Sequence, residues 1–142
     1  MNADGSGKRN LTDTLDLDED EASWSPDGTQ IAYSSLHPRG SEPAVTIDVI
    51  GADGSGAHAI VTTGTPSNPT WSPDGTKIIF ESTTADVLAH TYVVPPSGGD
   101  PVTTSPPVCP TRSTSSVPSP DGTKIIYASN PPGSAPTAPS TS

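Results

Sequence analysis

Asp16, Asp18 and Asp20 stand at alternate positions in the run from Asp16 to Glu21, which is how a calcium-binding loop begins. Carboxylate oxygens are the hard ligands that calcium takes, and weak binding with a stabilising role is the chemistry these three could support. Two departures weigh against it. The glycine such a loop needs next is Glu21, and its twelfth position is Asp27 where a bidentate glutamate belongs. The run therefore reads first as a solvated acidic loop, with calcium at Asp16, Asp18 and Asp20 as the one cofactor the sequence offers.

The other reactive residue types do not assemble into a catalytic or cofactor-binding set. His37, His58 and His90 lack ligand spacing and read as loop or strand residues. Cys109 is the only cysteine, which excludes an intrachain disulfide and a multi-cysteine zinc site. No Gly-x-Ser-x-Gly elbow and no phosphate-binding loop occurs, so the chain reads as no enzyme. Asn10-Leu11-Thr12 fits a glycosylation sequon but falls on an expected strand.

A second set of acids recurs with a fixed turn. Ser-Pro-Asp-Gly-Thr stands at Ser25–Thr29, Ser72–Thr76 and Ser119–Thr123, with a spacing of 47 residues each time. Proline presets φ, aspartate bonds back to backbone N–H groups, and glycine takes the positive φ that closes a hairpin. Asp27, Asp74 and Asp121 are thus expected to serve turn geometry, and Asp4 and Asp53 likewise in the two copies of Ala-Asp-Gly-Ser-Gly. After each proline turn comes a short apolar run: Ile31–Tyr33, Ile78–Phe80 and Ile125–Tyr127. Such runs suit strands covered on both faces by stacked sheets, and Trp24 and Trp71 just before the turns suit packing between those sheets.

Each period reads as four short strands in two hairpins, which is the blade of a β-propeller. The segments Trp24-Ser-Pro-Asp-Gly-Thr-Gln-Ile-Ala-Tyr33 and Trp71-Ser-Pro-Asp-Gly-Thr-Lys-Ile-Ile-Phe80, with Ala3–Thr12 for the second half, resemble the TolB-like propeller repeat. The expected fold is all-β: an incomplete propeller of two to three four-stranded antiparallel blades over residues 1–129, then a disordered Pro/Ser/Thr-rich tail over 130–142. Within it we expect an orphan outer strand over 1–12, blade one over 22–62, blade two over 69–104 and a half blade over 116–129. Pro118 replaces the tryptophan of the first two copies and weakens the third unit. The stretch from Pro101 to Pro120 reads as a loose connection.

The net charge of −10 disfavours nucleic acid and anionic membrane as partners, and no apolar run is long enough to span a bilayer. Residues 1–7 carry no signal-peptide pattern. The resemblance implies an extracytoplasmic protein, periplasmic or secreted. Propellers need at least ~4 blades to close, and the repeats here fall short of that. The chain is then a stretch of a longer propeller, or one half of a two-copy ring, or a unit of a head-to-tail polymer. Lys8, Asn10 and Leu11 at one end, and Ile125 and Tyr127 at the other, are the expected self-association edges. The function expected is a non-catalytic protein-binding or structural module whose partner is another protein or itself. The alternative is the accessory propeller of a peptidase or related hydrolase.

Overall fold

A computed structural model describes residues 4–14, 17–37, 44–83, 89–104 and 116–127. The tail expected over 130–142, most of the Pro101–Pro120 connection, Asp16 and Cys109 lie outside them. Among the described residues there is no helix. Strands β1 (Asp18–Trp24), β2 (Gln30–His37), β3 (Ala44–Gly51) and β4 (His58–Val61) form one antiparallel sheet in chain order. The next four, β5 (Thr65–Trp71), β6 (Ile78–Thr83), β7 (Ala89–Val94) and β8 (Val102–Thr103), repeat that order in a second sheet. A two-stranded sheet follows, β9 (Ser116–Pro118) with β10 (Ile125–Tyr127). The architecture is two blades and a half blade of an incomplete propeller.

The hairpins form where the turn chemistry places them. In the first, Gly28 N donates to Ser25 O at 2.9 Å, and Asp27 Oδ1 accepts the Thr29 N–H at 3.1 Å. The same two bonds recur around Asp74 and Asp121. The turns also stack from blade to blade. A Cβ on Gly75 would lie 3.7 Å from Cδ of Pro26, and one on Gly122 would lie 3.8 Å from Cδ of Pro73. Proline and glycine of the repeated turn therefore meet across each blade boundary, so the pentapeptide is inter-blade contact as well as hairpin chemistry.

Two boundaries differ from expectation. The acidic run is strand from Asp18 onward rather than a loop, because Asp18, Glu19 and Asp20 pair with Leu36, Ser35 and Ser34 of the long β2. Pairing with an already fixed neighbour outweighs the poor β-propensity of acidic residues. Blade two begins at Thr65 rather than at residue 69. Pro66 and Pro69 are tolerated in β5 because it is the edge strand of its sheet, where a missing N–H costs no ladder bond.

The principal core is a seam between the two full blades. Ala32, Ile47, Val49, Ile60 and Val61 of the first meet Trp71, Ile78, Phe80 and Val94 of the second. Phe80 stacks on Tyr92 with ring centroids 5.5 Å apart. Each such buried side chain contributes roughly 1.5–3 kcal/mol by leaving water, which makes this seam the main source of order in the chain.

Candidate interaction faces

Strand register assigns each blade a face toward its predecessor and a face toward its successor. Trp24 pairs with Ile31, Trp71 with Ile78 and Pro118 with Ile125. One residue along, Ser23 pairs with Ala32, Thr70 with Ile79 and Val117 with Ile126. Side chains alternate between the two faces of a strand, so these pairs point opposite ways. Ala32 shares a core cluster with Trp71 and Ile78, which makes the tryptophan pair the predecessor-facing one and the Ala32 pair the successor-facing one.

The same repeat place then has opposite exposures. Trp71 is 5% exposed and Trp24 is 59% exposed. Inter-blade packing, expected for both, is seen for Trp71 only; among the described residues no blade covers Trp24. On the successor side Ile79 is 3% exposed and its counterpart Ile126 is 71% exposed. Val117, the register partner of Ile126, is exposed as well. Both ends of the stack thus present apolar side chains that the interior of the stack buries.

Residues 8–12 do not pair into a strand, in contrast to the expected orphan strand. They nonetheless hold an outer-strand position. Aligned on Ala-Asp-Gly-Ser-Gly, Leu11 matches Ile60 and Arg9 matches His58. Ile60 packs beside Gly98 in the second blade's outer hairpin, and Leu11 packs beside Gly54 in the first blade's. His58 Nε2 lies 3.2 Å from the Pro96 carbonyl, and the Arg9 guanidinium donates to the Asp53 carbonyl. Lys8 and Asn10 are exposed, and Asn10 sits in a turn where its Oδ1 accepts the Thr12 N–H at 3.2 Å.

Between this segment and β1–β2 lies a cleft of about 360 Å³, lined by Leu11, Glu19, Ile31, Tyr33 and Ile50 among others. Leu11 packs on the small cluster Ile31, Tyr33 and Ile50. Burial, reinforced by the charges of Asp48 and Glu19, pushes the Tyr33 hydroxyl up to about 12, so it stays protonated. Glu19 accepts from the hydroxyls of Thr12 at 2.6 Å and Thr14 at 2.7 Å, tying the N-terminal segment to the rim of the cleft.

The acidic strand does structural work that its sequence did not reveal. A β-bulge interrupts β1 between Asp20 and Ser23, and β5 carries its own between Ser67 and Thr70. The bulge residues Glu21 (φ 58°) and Asn68 (φ 53°) occupy the same repeat place and are both left-handed. Glu21 Oε2 accepts the Asn68 N–H at 2.7 Å and the Ser34 hydroxyl at 3.0 Å, bridging the two blades. Asp18 and Asp20 are exposed on β1, and among the described residues no three His, Cys, Asp or Glu side chains gather to hold a metal ion.

The turn aspartates are engaged within their own turns. The Ser72 hydroxyl and then the Thr76 N–H hold the Asp74 carboxyl down to about 2. Ser25 and Ser119 hold Asp27 and Asp121 below the usual carboxylate range in the same way. Such fixed carboxylates already have donors, which suits hairpin closure rather than proton transfer. At the far end, Ile125 is half-buried against Pro118, and Tyr127 pairs with Ser116. The residues missed at that end were Val117 and Ile126. Matching the third copy to the first two place by place, with alternation in mind, would have found them.

No family model and no curated protein matches this chain. Among solved structures, a protein of Agrobacterium tumefaciens assigned as TolB superposes with a TM-score of 0.70 at 23% identity, covering 82% of this chain and 40% of its own. TolB from Acinetobacter baumannii superposes with a TM-score of 0.68 at 19% identity, covering 87% of this chain and 29% of its own. The chain thus spans well under half the length of either. At these identities the likeness is one of fold: this chain carries part of a TolB-like β-propeller.

Proposed function

We propose that this chain is a non-catalytic protein-binding or structural module that works outside the cytoplasm and meets its partner, a protein or a second copy of itself, through its open blade faces. The observation that carries the reading is the contrast between Trp24 and Trp71, identical in repeat place and opposite in exposure. An exposed indole gains roughly 25 cal/mol per Å² of apolar surface when a partner covers it. Aromatic side chains of this kind dominate the energetics of protein interfaces. The extracytoplasmic placement is supported by fold likeness to TolB structures. Among the described residues no helix is long and apolar enough to cross a membrane.

Acrylamide quenching of wild type against Trp24→Phe tests the open face, because the difference isolates the Trp24 signal. The reading expects Trp24 to be quenched readily in the dilute chain. A shielded Trp24 in a dilute monomer means the face is closed and overturns it.

A further inference from the structure

We infer that the seam between the two four-stranded blades holds a binding site for a small, neutral aromatic molecule bearing a hydroxyl, a phenol or naphthol in class, anchored by Ser82. The site lies apart from Trp24, and its walls come from blade one, blade two and the link between them.

Strand register explains why a cavity opens there. Ile78, Phe80 and Ser82 alternate onto one face of β6, and their partners Val94, Tyr92 and His90 lie on the same face of β7. Blade one covers the first part of that face, since Ile78, Phe80 and Val94 share a core with Ile47 and Val61. Beyond Phe80 the side chain shrinks to Ser82, and blade one gives way to the short link that runs through Gly64 into β5. The result is a cavity of about 430 Å³, bounded by Val61, Gly64, Phe80, Ser82, Tyr92 and Pro101 among others. Small-molecule sites span about 300–1,000 Å³. Gly64 (φ +76°) keeps room for the anchor, because a Cβ there would stand 2.5 Å from Ser82 Oγ.

The lining sets the chemistry of the ligand. Half-buried Tyr92 stacks on buried Phe80 with ring planes 20° apart, which makes a rigid aromatic wall for a flat ring. Ser82 is 6% exposed and lines the cavity, and among the described residues nothing hydrogen-bonds its hydroxyl. A buried hydroxyl without a partner is costly, so a ligand that supplies one gains affinity. Serine both donates and accepts, which matches a phenolic hydroxyl. No Asp, Glu, Lys, Arg or His is among the described residues that line the cavity. A charged ligand would therefore lose its hydration without meeting a counter-charge. The net charge of −10 further disfavours an anion.

The test is fluorescence anisotropy of 2-naphthol titrated with the full chain. Wild type is expected to bind it saturably. It should bind 6-hydroxy-2-naphthoate, the same ring and hydroxyl with a carboxylate added, at least about tenfold more weakly. Ser82→Ala removes only the hydroxyl and should weaken 2-naphthol binding about fivefold, as loss of one hydrogen bond does. Ser82→Leu fills the cavity and should abolish binding. Should the leucine variant fail to fold, Ser82→Ala still decides, because it adds no bulk. No saturable binding up to the solubility limit of 2-naphthol overturns the inference. Affinity that Ser82→Ala leaves unchanged also overturns it, as does the carboxylate binding as tightly as the neutral naphthol.

Discussion

Glu21 offers the sharpest test of how the blades are held together. Its left-handed backbone (φ 58°) costs an L-residue roughly 1–2 kcal/mol relative to ordinary strand geometry. Its carboxylate offsets this by accepting from Asn68 N at 2.7 Å and Ser34 Oγ at 3.0 Å. A hydrogen bond to a charged group contributes about 1.5–3 kcal/mol, and the exposure of Glu21 argues for the low end. Glu21→Ala removes the acceptor and keeps the backbone cost, so we expect a loss of about 1.5 kcal/mol. Glu21→Gln keeps an acceptor without its charge and should lose about half as much. Glu21→Gly loses the acceptor but regains about 1 kcal/mol by relieving the left-handed strain, leaving a loss near 0.5 kcal/mol. Urea unfolding followed by tryptophan fluorescence resolves these steps, since 1.5 kcal/mol moves the midpoint by about 0.7 M at an m-value near 2 kcal/mol/M. The order of stability should be wild type, Gly, Gln, Ala, with Gly and Gln close together. Glycine falling below alanine would refute the strain argument. All three variants matching wild type would refute the inter-blade bridge.

The turn aspartates predict a pH dependence. A carboxyl held at about 2 in the folded chain and near 3.8 when unfolded stabilises the fold above about pH 4, and that contribution disappears as pH falls through 2. The melting temperature of wild type should therefore exceed that of Asp74→Asn at pH 6 and converge on it by pH 2; a constant difference across the range contradicts the assignment. Gly64 (φ +76°) would place a Cβ 2.5 Å from Ser82 Oγ, whereas a Cβ on Gly56 (φ +66°) meets nothing within 4 Å. Gly64→Ala should thus cost about 1 kcal/mol more than Gly56→Ala, the price of moving a buried hydroxyl off its rotamer, and adding Ser82→Ala should recover the excess in urea melts. Calcium at Asp16, Asp18 and Asp20 predicts a melting temperature that rises at millimolar calcium, with the rise abolished by Asp18→Asn; no shift removes the site.

The blade architecture was legible because its determinants are local and repeated. Proline, aspartate and glycine at fixed places close each hairpin, and the isoleucine runs beside them have nowhere to go but a two-sided interior. What escaped the sequence were effects set by neighbours. The acidic residues from Asp18 to Glu21 have poor strand propensity and form a strand because β2 extends far enough to pair with them. Residues 8–12 have a strand-like pattern and form none; their hold on the first blade comes from Arg9 donating to the Asp53 carbonyl and Leu11 packing beside Gly54. The bulges at Glu21 and Asn68 depend on a register shift that no glycine announces, and their bridge joins residues 47 apart in sequence.

The same reasoning explains why identical repeat residues carry different meanings along the chain. A tryptophan before the turn is core only when the blade ahead of it offers a small residue and an apolar sheet. Trp71 has Ala32 and the Ile47–Val49 strand, and it is buried. Pro118 holds the same repeat place in the third unit and pairs with Ile125 across its hairpin. Trp24 is exposed, and Leu11 and Arg9 hold an outer-strand place beside its blade without pairing into a strand. The exposed indole of Trp24 therefore marks the repeat place that Trp71 fills with an inter-blade contact.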